Sequence, residues 1–152
     1  MPAVDSTRAR IDATPQSSCF ACGPDNPHGL RLRFATGETG ESVTAWVPEA
    51  FTEGFRGIVH GGVVSTVLDE AMSKAVAAAG LPALTAELRV RLRRHVAPRC
   101  TVWVRGWIMS QTGRLIKTEA TLTDAEGTEL AHAWASFLTV KQASGGSMRT
   151  MK

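Results

Sequence analysis

The stretch "FRGIVHGGVVSTVLDEAM", residues 55–72, sets a histidine and two glycines directly before an apolar run that carries two carboxylates in its middle. Continued to residue 80, it predicts a helix from Gly61 to Ala79, with Gly80 suited to cap its end and Pro82 just beyond. Val63, Val64, Val67, Leu68, Ala71, Met72, Ala75 and Val76 cover most of its circumference, the pattern of a helix enclosed by the rest of the fold. Burying an ionised Asp69 there is costly unless something pairs with it. Positions 72 and 73, three and four residues on, hold Met72 and Ser73 and offer no cation. Glu70 precedes Lys74 by four residues, the favourable order for a helix pair, and reads as structural. Asp69 stands between a catalytic group and one on a locally solvated face.

Around the helix the periodicity changes to two. "GLRLRF" (29–34) and "ESVTAWV" (41–47) alternate as strands joined by the glycine-bearing "ATGETG". After the helix come strand-like segments at 85–96, 101–109, 115–123 and 126–140, punctuated by Pro98, "SQTGR" and "DAEG". Their hairpin-sized connections predict an antiparallel meander of these four strands. The fold class is therefore α+β, a single antiparallel sheet wrapped around one long central helix. Residues 18–140 form the domain, and the polar, aperiodic stretches 1–17 and 141–152 read as flexible tails. If Val102 and Val104 face the helix, Trp103 and Trp107 project outward, which predicts a homodimer or homotetramer.

Composition excludes several classes. Apolar residues make up 43% and charged residues 20%, and no run of about 18 apolar residues exists to span a bilayer. The first residues lack the apolar centre of a secretory signal, so a cytoplasmic location is expected. Net charge is +3 without a lysine or arginine run, so no nucleic-acid partner is expected. Three cysteines fit reduced thiols better than a disulfide framework. Cys19 and Cys22 lack a second Cys/His pair at zinc spacing, and they read as small buried residues at a turn, with no metal.

The helix start offers unpaired amides and partial positive charge to an oxygen that becomes negative, and Gly61 and Gly62 let a substrate approach the backbone. His60 could be a general acid or could hold the loop by hydrogen bonds, and the second role is favoured. Arg89, Arg91 and Arg93 alternate along one strand face, suited either to the phosphates of a nucleotide-bearing substrate or to solvent. Phe51 and Phe55 are candidates to line an apolar pocket.

The order of elements, with "HGG" at 60–62 and Asp69 nine residues after His60, resembles the hotdog-fold acyl-CoA thioesterases, and most closely their phenylacetate-pathway-like branch. "CFACGPDNPHGLRLRF" (19–34) is similar to the C-x-x-C-G-x-x-N-P-x-G-L segment of that branch, and "TAELRVRLRRHVAP" to its third strand, with His95 where proline is usual. The resemblance spans about residues 19–140. It implies an acyl-CoA substrate, no cofactor beyond the coenzyme A of that substrate, the Gly61 amide as polarising donor, and Asp69 as general base or nucleophile. It also implies that donor and carboxylate come from different subunits, and that Thr85 orients the attacking water. Some relatives carry a polar amide six residues before the histidine, where this chain has Gly54. The rival reading is a hotdog protein that binds acyl-CoA as a sensor or carrier.

Overall fold

The computed structural model describes residues 18–141; the two stretches expected to be tails lie outside the described residues, apart from Lys141. Six strands form one antiparallel sheet: β1 (Ala35–Thr36), β2 (Ser42–Trp46), β3 (Ala83–Leu92), β4 (Val102–Thr112), β5 (Leu115–Thr123) and β6 (Glu129–Thr139). The sheet wraps the helix α1 (Gly61–Ala78), whose Val67, Leu68, Ala71 and Met72 are fully buried. Facing them from the sheet are Val102, Val104, Ile116, Leu122 and Phe137, each at most 2% exposed. The helix ends one residue earlier than expected, with Ala79 as its C-cap and Gly80 at φ +75°, a left-handed conformation that glycine adopts without strain.

Three sequence expectations are corrected. The strand order is β1-β2-β4-β5-β6-β3, so β3 pairs with β6 and not with β4. Only β4, β5 and β6 form a meander. Residues 93–101 carry the chain past three strand spacings, about 14 Å, which nine residues cover easily. Second, "GLRLRF" is not a strand: Arg31 adopts φ +52°, and the Leu30 and Leu32 amides donate instead to the carbonyls of Phe20 and Ala21 at 2.8 and 2.9 Å. Third, β3 ends at Leu92, since the Arg93 and Arg94 amides both donate to the Leu130 carbonyl and turn the chain away.

Helix and sheet come close together at Gly106. A Cβ there would lie 2.5 Å from the backbone carbonyl of Ala71, so only glycine allows α1 to seat this deeply on β4. Val102 and Val104 do face the helix, while Trp103 on the outer face is 49% exposed.

Candidate functional site

Asp69 lies on the third turn of α1, and its carboxylate accepts a hydrogen bond of 2.8 Å from the Thr85 hydroxyl. This pairing is not legible in strand alternation. Thr85 has the same parity as Arg89, Arg91 and Arg93, so an ideal strand would place all four on one face. The structure has a β-bulge between Thr85 and Glu87, where pairing slips from Thr85–Phe137 to Glu87–Ser136. The extra residue reverses the alternation, so Thr85 shares the inner face with buried Phe137 and reaches the helix. Burial pushes the Asp69 carboxyl above the ordinary carboxylate range; the Thr85 hydrogen bond opposes that rise and the neighbouring Glu70 charge adds to it.

At the other end of the helix, His60 is the N-cap, and its Nδ1 accepts from the Gly62 amide at 2.9 Å. The contact uses the lone pair of Nδ1 to satisfy one of the orphan amides of the first turn. The amides of Val63 and Val64 both donate to the His60 carbonyl. Among the described residues the Gly61 amide meets no acceptor, and it is the one first-turn donor left for a ligand. Gly54 packs against His60: a Cβ on it would lie 3.2 Å from the imidazole and 3.3 Å from the His60 Cα, so a larger residue here would require His60 to give by a few tenths of an ångström.

A cavity of about 260 Å³ opens beside Gly61, lined by Ile58, Val59, Val64, Leu92 and residues 93–96. Its walls are largely apolar, and Leu92 lies so close that a side chain on Gly61 would meet it at 2.8 Å. Ile58, Val64 and Leu92 escaped the sequence reading because nothing in an apolar residue distinguishes a pocket wall from the core. Phe51 and Phe55 are 61% and 82% exposed and are not among the residues lining this cavity.

The arginines occupy the opposite face of β3. The Arg89 guanidinium stacks over Trp134 at 4.5 Å, and Arg93 donates from Nε to Glu129 at 2.7 Å. Arg91 pairs in register with His132, which itself lies between Glu119 and Glu129. Arg89 also borders an outer cleft of about 510 Å³ with Lys117 and Trp134. None of the three makes a contact with Asp69 or Thr85 among the described polar contacts.

The separation of the two chemical ends matters most. Gly61 and Asp69 are eight residues apart on one helix, a rise of about 12 Å. A thioester carbonyl bonded to the Gly61 amide therefore cannot also meet the Asp69 carboxylate of the same chain.

The family model described as the thioesterase superfamily matches residues 56–131, half of the chain, and that span holds the helix, Asp69 and Thr85. The chain belongs to the thioesterase superfamily. Among solved structures, a thioesterase superfamily protein is 25% identical with a TM-score of 0.77, matching 80% of this chain, which spans only 60% of that protein. The Escherichia coli PaaI protein from the phenylacetic acid degradation operon shares the fold at 15% identity and a TM-score of 0.70, over 75% of this chain and 83% of its own. A hypothetical thioesterase from Streptococcus pneumoniae TIGR4, solved with coenzyme A, does so at 18% identity and 0.69, over 74% and 88%. A search of curated proteins gives no significant match. The hotdog fold expected from the sequence is the fold observed, and no helix among the described residues is long and apolar enough to cross a membrane.

Proposed function

We propose that this superfamily member hydrolyses acyl-CoA to free acid and coenzyme A. The observation that carries the reading is the Asp69–Thr85 pair: a partly buried carboxylate with its basicity raised by burial, held in one orientation by a single hydroxyl. Such a group suits a general base that deprotonates water, or a nucleophile that attacks the thioester carbonyl and is released by water afterwards. The Gly61 amide, at the positive end of α1, is placed to stabilise the oxyanion. His60 keeps that amide available by taking the Gly62 amide itself.

The 12 Å between these groups calls for a second copy of the chain, so the working unit is a homodimer or a dimer of dimers with sites at the interface. The outer edge of β3 supports this: among the described residues it pairs only with β6, and Leu84, Leu88 and Leu92 along it are 43%, 38% and 51% exposed. The assembly acts in the cytoplasm on a small-molecule substrate, with no cofactor for the hydrolysis itself and no nucleic-acid or membrane partner. Coenzyme A bound to the Streptococcus pneumoniae relative supports a coenzyme A thioester as substrate. Thiol release from a panel of acyl-CoAs, followed with a chromogenic thiol reagent, tests the reading. Saturable turnover of at least one is expected; tight binding across the panel without turnover would establish the sensor instead.

A further inference from the structure

The adjacent carboxylate, Glu70, does not sit on a solvated face. Successive helix residues are 100° apart, so Glu70 points away from β3 and lies beneath the segment that carries Cys19 and Cys22. Its side chain is 14% exposed. One oxygen of Glu70 and both cysteine sulfurs lie within 4.8 Å of one another, all three partly buried. The turn that presents the thiols is built firmly: the Gly23 amide donates to the Cys19 carbonyl at 2.8 Å, and Ala21 between them is 5% exposed in the core. Among the described residues Lys74 is the cation at the cluster, 3.6 Å from Glu70 and in reach of Cys22.

We propose that Cys19, Cys22 and Glu70 form a binding site for a thiophilic divalent cation of the zinc class, which ties the Cys-x-x-Cys turn to α1. Two thiolates and a carboxylate are the donor set such an ion selects. Tetrahedral ligation needs donor atoms about 3.8 Å apart, so a contraction of about 1 Å or less from the observed cluster seats the ion. Water takes the fourth position. On binding, each thiol gives its proton to solvent as its sulfur–metal bond forms, so one ion displaces two protons and no electron moves. Lys74 supplies the positive charge beside Glu70 in the metal-free protein, and its flexible stem lets it withdraw when the ion enters. The spacing between the cysteines fits either ligation or a plain turn; the third ligand, supplied from 48 positions along the chain, is what favours a site. The proposed hydrolysis uses none of these three ligands, although the Glu70 charge is felt at the adjacent Asp69.

Cobalt(II) added to reduced, metal-free full-length protein tests it. The expected result is one ion per chain and a thiolate-to-cobalt charge-transfer band that zinc abolishes by displacement. Cys19→Ser and Cys22→Ser lose the band, Glu70→Gln weakens binding, and Cys100→Ser, a change at an exposed cysteine outside the cluster, keeps the wild-type spectrum. Absence of the band in the wild-type protein overturns the proposal, as does its persistence in Cys22→Ser. Because the wild-type spectrum alone is decisive, a variant that fails to fold does not shelter the idea, and no acyl-CoA assay enters the result.

Discussion

Asp69→Asn separates chemistry from packing more cleanly than any other change in this chain. The amide has the shape of the carboxylate, and its oxygen can still accept the Thr85 hydrogen bond, but it cannot take a proton from water or attack a thioester. Losing a positioned base costs about a hundredfold to ten-thousandfold in rate, or about 3–5 kcal/mol in the barrier. Stability should move the other way. Because burial raises the folded-state pKa of Asp69, the fold prefers the protonated carboxyl. That preference stabilises the protein fully below the unfolded carboxylate pKa of about 4, and is lost as pH rises through the raised folded value. At neutral pH the wild-type chain therefore bears the cost of a desolvated charge, and the asparagine variant does not. The assay is paired: thiol release from the best acyl-CoA, and thermal unfolding at pH 7. A rate at least a hundredfold lower with a melting temperature equal to or above wild type is expected. A wild-type rate would remove Asp69 from the mechanism, and a melting temperature that falls with the activity would make it a structural residue.

Other consequences follow from the same geometry. Thr85→Val deletes the hydrogen bond that lowers the Asp69 pKa, so the acid limb of kcat/KM should move to higher pH, with a loss of about tenfold for a bond worth about 1.4 kcal/mol. An unchanged pH profile would show that the hydroxyl does not act through Asp69. His60→Ala removes the helix N-cap and should cost about 1 kcal/mol in thermal unfolding, most of it restored in His60→Asn, whose side chain can accept the same amide. Gly106→Ala drives a Cβ into the Ala71 carbonyl and should destabilise by about 1–3 kcal/mol, read as a fall in melting temperature of several degrees. Sedimentation should find no stable monomer at micromolar concentration, and a proline at Leu88 on the free β3 edge should weaken assembly.

Local rules wrote much of this fold into the sequence. The helix announces itself because its burial pattern, its glycine terminator and its proline stop agree, and its observed span differs from expectation by one residue. The alternation of Val102 and Val104 against Trp103 holds because nothing interrupts β4 before Ile108. Long-range choices were not legible. Whether β3 pairs with β4 or β6 depends on which edge is open once the sheet has curled, and a nine-residue connection permits both. The bulge beside Thr85 has no glycine to mark it, yet it decides whether that hydroxyl meets solvent or Asp69. Likewise the i, i+4 spacing of Glu70 and Lys74 correctly gives their contact, but not the cysteines that cover it.

The two adjacent carboxylates thus answer differently to one constraint. A helix wrapped by a sheet has little surface to spare for charge, and α1 places Asp69 and Glu70 in the two directions where the wrapping is incomplete. Asp69 looks toward β3, which ends the sheet among the described residues; there a carboxylate can be desolvated by the protein and still be reached by a substrate. Glu70 looks toward the segment before β1, where the chain closes over the helix with two thiols and needs a partner for its charge. Exchanging the two residues would keep composition and net charge, yet it would shorten the carboxylate beneath the cysteines and lengthen the one beside Thr85. The double variant Asp69→Glu, Glu70→Asp should therefore lose acyl-CoA turnover and bind cobalt more weakly. A variant that kept both turnover and wild-type cobalt binding would show that charge alone, without placement, is what this helix requires.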